Sequence, residues 1–245
     1  MARIDGRAFH SFVRGLERPY DQRLSQMMID TTKYLVKETA AVMGYCQSDE
    51  IGLCWYSGNP ETQIYFDGRV AKMISQLAAQ TSVYFYRLCV DRLPPEYAAK
   101  MPTFDCRCWT VPNFNEAANT FLWRELDASK NSISMAARSV YSHKALENKN
   151  GSEMQEMLWQ KGVNWNDYPR FFKRGTFIQR QIVTRKFTTD ELDKLPPQHE
   201  ARHNPELTYE RSDYVELDMP PFNKVANRAA VIFEGAKPQL YSCAG

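Results

Sequence analysis

Two patterns alternate along this chain: short runs with every second residue apolar, and longer runs with apolar residues three or four apart. Residues 2–5 read as a short strand that breaks at Gly6. From Tyr20 to about Val42 the positions Leu24, Met27, Met28, Tyr34, Leu35 and Val42 follow helical spacing behind the start signals Pro19 and Asp21. Residues 43–46, the polar turn 47–50 and residues 51–56, with Ile51, Leu53 and Trp55 alternating, read as a hairpin carrying Asp49 and Glu50 near its tip. After a turn at Gly58-Asn59-Pro60, a second helix is expected from about Asp67 to Val90, with Val70, Met73, Ile74, Leu77, Thr81 and Phe85 as its buried stripe. Leu93-Pro94-Pro95 ends it, and residues 104–110 alternate as another strand that stops at Pro112.

That order is βαββαβ. It predicts an α+β fold with a ferredoxin-like antiparallel sheet over residues 1–112, two helices on one face and the first and third strands adjacent in the centre. In that topology the end of the first strand meets the turn between the second and third, which brings Asp5 to Asp49. Residues 113–185 are expected to pack on this core as helices 115–127, 131–143 and 153–161, a loop at 164–169, a turn at 171–175 and a strand at 176–184. Residues 186–213 are rich in charge and proline and read as an extended arm or lid, with one more strand at 214–218. Trp123, Trp159 and Trp165 read as packing residues.

The chain has 245 residues, 43% hydrophobic and 24% charged, which excludes a disordered or fibrous protein. No apolar run approaches the ~20 residues of a membrane span and no signal peptide pattern opens the chain, so the expected location is the cytoplasm, with no membrane partner. Six cysteines without C-x₂-C pairing argue against a zinc site, and Cys106 and Cys108 read as small buried apolar residues. A net charge of +2 gives no global sign of nucleic-acid binding, which then falls to local clusters.

Two carboxylates at facing strand ends, Asp5 and Asp49, suit a pair of hard cations such as Mg²⁺, which use oxygen ligands and substrate phosphates. Two such ions about 4 Å apart activate an attacking oxygen and neutralise a leaving pyrophosphate. The carbonyl of Gly6 is a candidate third ligand, and the amides of Arg7, Ala8, Phe9 and His10 are candidates to receive a triphosphate. Taken singly, Asp-Gly and Ser-Asp-Glu are ordinary solvated turns. Arg69 and Lys72 at a helix N-terminus oppose its dipole, so they either serve a ligand or are solvated charges. Lys173-Arg174 reads as a charged turn, or as a holder of phosphate or RNA backbone.

Residues 3–12, Gln47-Ser48-Asp49-Glu50, Trp123-Arg124-Glu125-Leu126-Asp127 and Arg174-Gly175 resemble, in order and spacing, the tRNA-His guanylyltransferase family. The resemblance covers most of residues 1–184. It implies a polymerase-like palm that adds nucleotides in the 3′-to-5′ direction to the 5′ end of tRNA, after ATP or GTP activates the 5′-monophosphate. It implies two Mg²⁺ on Asp5, Asp49 and the Gly6 carbonyl, with Arg7, Ala8, Phe9, His10 and Ser48 around the nucleotide. Glu50, Arg69, Lys72, Asn131, Lys173 and Arg174 would be outer contacts to phosphate or tRNA. Where eukaryotic members have His-Ile-Asn-Asn, this chain has Ser129-Lys130-Asn131-Ser132, which is similar to the branch that repairs truncated tRNA 5′ ends. The lead-in that members place before the first strand is absent, implying a late gene start or a trimmed domain. Members are homo-oligomers, expected here as a tetramer. The residues leave two other readings open: a nucleotide cyclase on the same two-metal palm, and a non-catalytic RNA-binding protein that keeps the palm as scaffold.

Overall fold

The structure is a computed structural model that describes residues 1–59, 61–204 and 206–241. Its first half follows the expected order: β1 (Ala2–Gly6), α1 (Phe9–Phe12), α2 (Gln22–Thr39), β2 (Met43–Gln47), β3 (Glu50–Cys54), α3 (Val70–Arg92), α4 (Pro95–Ala99) and β4 (Phe104–Cys108). β1 lies between β3 and β4, with Ile4 opposite Ile51 on one side and Cys106 on the other. After β4 come α5 (Phe114–Val140), α6 (Gly151–Gln160), α7 (Arg170–Arg174), β5 (Thr176–Lys186), α8 (Thr189–Lys194), β6 (Thr208–Glu216) and α9 (Arg228–Glu234). The antiparallel sheet has the order β4-β1-β3-β2-β5-β6.

The α2 and α3 helices cover one face. Asp21 caps α2 by accepting from the amides of Arg23 and Leu24, and Met27, Met28, Leu35 and Val36 supply its buried stripe. Thr31, Thr32 and Thr39 are also buried there, each hydroxyl donating to the carbonyl four residues back. The helix lies close because β2 offers Gly44, where a Cβ would stand 2.5 Å from Val36. The other face is covered by α5 and by residues 217–234, which bury Phe222, Val225, Val231 and Ile232 against Met43, Tyr45, Phe121 and Phe177. Each such side chain contributes about 1.5–3 kcal/mol. Gln179 ties this covering down, its amide donating to the carbonyls of Val231 and Ile232 at 3.0 Å each.

Several expectations are corrected. Residues 114–140 form one long helix in place of the two expected at 115–127 and 131–143, because Glu125, Ala128, Ser132 and Ala136 carry the buried stripe through the polar stretch at 129–131. Asn150, not Ser152, caps α6, in a capping box with Glu153. Trp123 and Trp159 are 74% and 64% exposed and so are not core residues. The charged segment 186–213, expected as an extended arm or lid, starts and ends in paired strand: β5 and β6 pair from Ile178↔Glu216 to Lys186↔Thr208. Only residues 176–178 of β5 also pair with β2, so the remainder extends past the sheet as a two-stranded ribbon, with Phe187 stacked on Tyr209 near its end. Cys106 is buried, Cys108 half-buried, and their sulfurs are 4.0 Å apart. Among the described residues no helix is long and apolar enough to cross a membrane.

Candidate active site

Pairing of β1 with β3 sets Asp5 opposite Glu50, and the Gly6 amide donates to the Asp49 carbonyl at 3.1 Å. The ladder therefore joins the end of β1 to the β2–β3 turn, where Ser48 takes a left-handed backbone (φ 48°). The Ser48 hydroxyl donates to Asp49 Oδ1 at 2.9 Å. Burial pushes the Asp49 carboxyl above the usual carboxylate range, and the charge of Asp5 adds to that push, while Ser48 and Arg3 oppose it. Two half-buried carboxylates brought near one another form a site that a divalent cation would relieve. Their donors are all oxygen, which suits a hard cation. Among the described residues no cluster of three or more His, Cys, Asp or Glu side chains is placed to hold a metal, so carbonyl, water and substrate oxygens have to complete the shell.

Glu50 has a different task. It is 4% exposed, and Arg124 of α5 grips it with Nε and Nη2 at 2.6 and 2.7 Å. Arg3 reaches it at 2.8 Å and also pairs with Asp5. Arg124 further bonds Asp127 at 3.1 Å, and the Asn131 amide donates to Asp127 at 3.2 Å. Both Glu50 oxygens are thus taken, so it is not available as the phosphate or tRNA contact expected of it. It clamps β1 and α5 to the start of β3, next to Asp49.

Beside Asp49 opens a cavity of about 700 Å³, whose lining does not include Asp5. Its walls include Gly6, Ala8, Phe9, His10, Ser48, Asp49 and Asn131, so seven sequence-predicted residues meet there. Gly6 has to be glycine because a Cβ would stand 2.3 Å from the Phe9 ring. That ring is 4% exposed and packs against Phe12, Phe85 and Phe104, anchoring α1 under the cavity.

A sequence profile described as tRNA-His guanylyltransferase matches residues 1–112. A solved bacterial tRNA-His guanylyltransferase-like protein in complex with ATP superposes with a TM-score of 0.74 and 32% identity, covering 91% of this chain and 84% of that one. The chain belongs to the tRNA-His guanylyltransferase family. A solved complex with GTP, also of a bacterial guanylyltransferase-like protein, gives 0.68 and 31% over the same shares of the two chains. The tRNA-His guanylyltransferase of Debaryomyces hansenii is 27% identical over 86% of this chain and 83% of its own length. Membership in this guanylyltransferase family makes the chain a nucleotidyltransferase on a palm-like fold.

Other residues of the guanylyltransferase motifs fall elsewhere. The Arg7 amide is taken by the Thr103 carbonyl at 2.9 Å, so it is not free for a triphosphate, whereas the amides of Ala8, Phe9 and His10 make no backbone hydrogen bond among the described residues. Arg69 and Lys72 are not brought to the cavity. α3 starts where β3 ends and runs back about 34 Å over its 23 residues, which leaves its N-terminus at the opposite end of the sheet. There the Lys72 ammonium lies 4.6 Å from the centre of the Phe66 ring. Lys173 donates to the Asn166 carbonyl and lies 5.6 Å from the Trp165 ring centre. Arg174 faces the buried Glu125 at 3.9 Å, and its carbonyl accepts from the Tyr45 hydroxyl at 2.8 Å. Both belong to α7 rather than to the expected turn, and both brace the β5 entry. Sequence reasoning quoted Arg3, Arg124 and Asp127 within the family motifs but gave them no role. Arg124 and Asp127, three residues apart on one helix, carried the signal of a shared face.

Proposed function

We propose that the chain is a metal-dependent 3′-to-5′ nucleotidyltransferase that adds GTP-derived and templated nucleotides to the 5′ end of tRNA, in the branch that repairs truncated ends. The observation that carries this reading is the joining of the Asp5-Gly6 strand end to the Asp49 turn, through the Gly6 amide and the Asp49 carbonyl, beside a cavity lined by Gly6 and Asp49 and large enough for a nucleotide. The solved ATP and GTP complexes of bacterial relatives support it. Residues 1–112 act as the catalytic palm, with 113–185 packed on it and 186–245 adding the ribbon and the cover of the second face.

Asp5, Asp49 and the Gly6 carbonyl would hold Mg²⁺, two ions per site. Bound there, the metal supplies charge neutralisation for the triphosphate and lowers the pKa of the attacking hydroxyl. The chain's own part is positional. Ser48 orients the Asp49 carboxylate, and the Glu50 clamp fixes β1 against β3, so the two carboxylates keep their separation. The amides of Ala8, Phe9 and His10 face the cavity as donors for phosphate oxygens, with His10 at the rim. Arg3 neutralises Asp5 before substrate arrives.

The protein acts in the cytoplasm and as a homo-oligomer, a tetramer by resemblance. With Arg69 and Lys72 far from the cavity of their own chain, their contact with substrate at this site needs a second copy. The function is tested by incubating the protein with a 5′-truncated, 5′-monophosphorylated tRNA transcript, ATP, Mg²⁺ and labelled GTP. Labelled tRNA lengthened at its 5′ end is the expected product. A cyclic nucleotide from GTP alone, or no extension, would overturn the reading.

A further inference from the structure

The rim of the sheet carries a pair of thiols that the proposed chemistry does not use. β4 is an edge strand beside β1, and Cys106-Arg107-Cys108 ends it. Two residues apart on a strand, Cys106 and Cys108 point to the same face, the one that α2 and α3 cover. The bonded pairs of the β1–β4 ladder fall on the odd residues, since Met1 and Trp109 exchange bonds at 3.0 Å and the Arg7 amide donates to the Thr103 carbonyl at 2.9 Å. By alternation, Arg107 bonds to Arg3, while the amides and carbonyls of Cys106 and Cys108 point away from β1 toward the edge.

The two sulfurs lie 4.0 Å apart and share a hydrogen bond. That bond holds the Cys108 thiol below the usual cysteine range, against burial, and pushes Cys106 up, with burial adding to the push. Cys106 is 8% exposed and Cys108 half-buried, so the thiol that ionises more readily is also the more accessible one. The other described cysteines differ. Burial pushes Cys46 up to about 12 and Cys54 up to about 11, and Cys89 is fully buried. An extended strand sets residues i and i+2 ~6.7 Å apart at Cα, which is at the upper end of the span a disulfide bridges. A bond between these two sulfurs is therefore within reach, strained, and readily reopened by a thiol.

We propose that Cys106 and Cys108 form a redox site: a small dialkyl disulfide oxidises them to an intramolecular disulfide, and the bond slows the enzyme. The Cys108 thiolate attacks one sulfur of the oxidant and expels the other as a thiolate. The Cys106 thiol then loses its proton and attacks the Cys108 sulfur, expelling the second thiolate. Two protein thiols become one disulfide, the oxidant is reduced to two thiols, and the two protons pass to those leaving groups. Closing the bond contracts β4 across Arg107, whose ladder partner Arg3 holds both Glu50 and Asp5. The strain thus reaches the strand that carries Asp5. Formation of the bond stands on the thiol pair alone, whereas its effect on tRNA extension rests on the proposed function.

The test incubates the full chain with oxidised glutathione, alkylates the remaining thiols and digests with trypsin without reductant. Trypsin cuts after Arg107, so the bond shows as peptides 101–107 and 108–124 joined to each other, seen by mass spectrometry. Wild type is expected to give the joined pair, and dithiothreitol to separate it. Cys106→Ala should stop at a glutathione adduct on Cys108, and Cys108→Ala should leave Cys106 unmodified. Separate peptides from oxidised wild type, or Cys106 joined to a different cysteine, would overturn the site. Extension of 5′-truncated tRNA by oxidised wild type is expected to fall about tenfold, to recover with dithiothreitol, and to be indifferent to the oxidant in Cys108→Ala. Undiminished extension with the bond fully formed would overturn the switch. A reduced wild-type chain that extends no tRNA would overturn the functional reading and the switch together, while the joined peptides would still establish the redox site.

Discussion

Replacing Arg124 by methionine leaves Glu50 buried with one cation where it now has two. Glu50 is 4% exposed, and burial pushes its carboxyl above the ordinary range, with Arg124 the largest influence opposing that push. Breaking a buried pair from one side costs about 3–5 kcal/mol, because the remaining charge stays uncompensated. Arg3 remains 2.8 Å from Glu50, so the lower part of that range is expected, about 3 kcal/mol. Glu50→Gln should cost a similar amount, since it strands both arginines. The double variant should lose less than the two singles together by about 2 kcal/mol or more, because the second change removes the orphan left by the first. Urea denaturation at pH 7 of all four proteins measures the cycle. The same change loosens α5 and β1 at the Asp49 end of β3, so tRNA extension by Arg124→Met should fall at least tenfold, in kcat more than in the KM for GTP. Additive losses in the denaturation cycle, with extension preserved, would refute the clamp.

Glu125 gives a pH-dependent prediction. Burial raises its carboxyl from 4.5 to about 7, against the Phe222 amide that donates to it at 2.7 Å. The folded chain then holds a proton between pH 4.5 and 7 that the unfolded chain has released. Stability from this group is therefore full below pH 4.5 and is lost as pH rises through 7, by about 3 kcal/mol at about 1.4 kcal/mol per pH unit. Glu125→Gln should remove that slope, so the stability difference between the two proteins, followed by denaturation from pH 5 to 8.5, grows with pH in favour of Gln; a constant difference would contradict it. Gly175→Ala should cost at least about 2 kcal/mol, because φ there is +75° and the new Cβ would stand 2.5 Å from the Cys46 carbonyl oxygen. A melting temperature within a degree of wild type would show that β5 can shift away freely. Gly6→Ala should displace the Phe9 ring from its aromatic cluster and weaken MgGTP binding, which calorimetry would read as a higher Kd.

The palm could be read from the sequence because its strands and helices each bury one face: Ile51 and Leu53 alternate, while Met73, Leu77, Thr81 and Phe85 recur with the helix. The Asp5–Asp49 meeting followed from topology, since both residues sit at strand ends that this order brings side by side. Only the end of β6 was legible, as the strand expected at 214–218; its first residues were hidden because the ribbon is solvated on both faces, so Glu210 and Ser212 give no apolar alternation. The distance of Arg69 and Lys72 from the cavity was implicit in the same topology, because a helix that follows β3 begins at the end of the sheet remote from Asp49. The duty of Glu50 was not legible: its main partner Arg124 is 74 residues away, and adjacency to Asp49 made a ligand-facing role look natural.

Single-turnover extension of a 5′-truncated, 5′-monophosphorylated tRNA with ATP, Mg²⁺ and labelled GTP, comparing wild type with Asp49→Ala and Asp5→Ala, tests the central claim most directly. Losing one charged ligand from a two-ion site should remove several kcal/mol of transition-state stabilisation, so both variants are predicted to extend at least about 1,000-fold more slowly while remaining folded. Extension by either variant at the wild-type rate would contradict the assignment of Asp5 and Asp49 as the reactive centre.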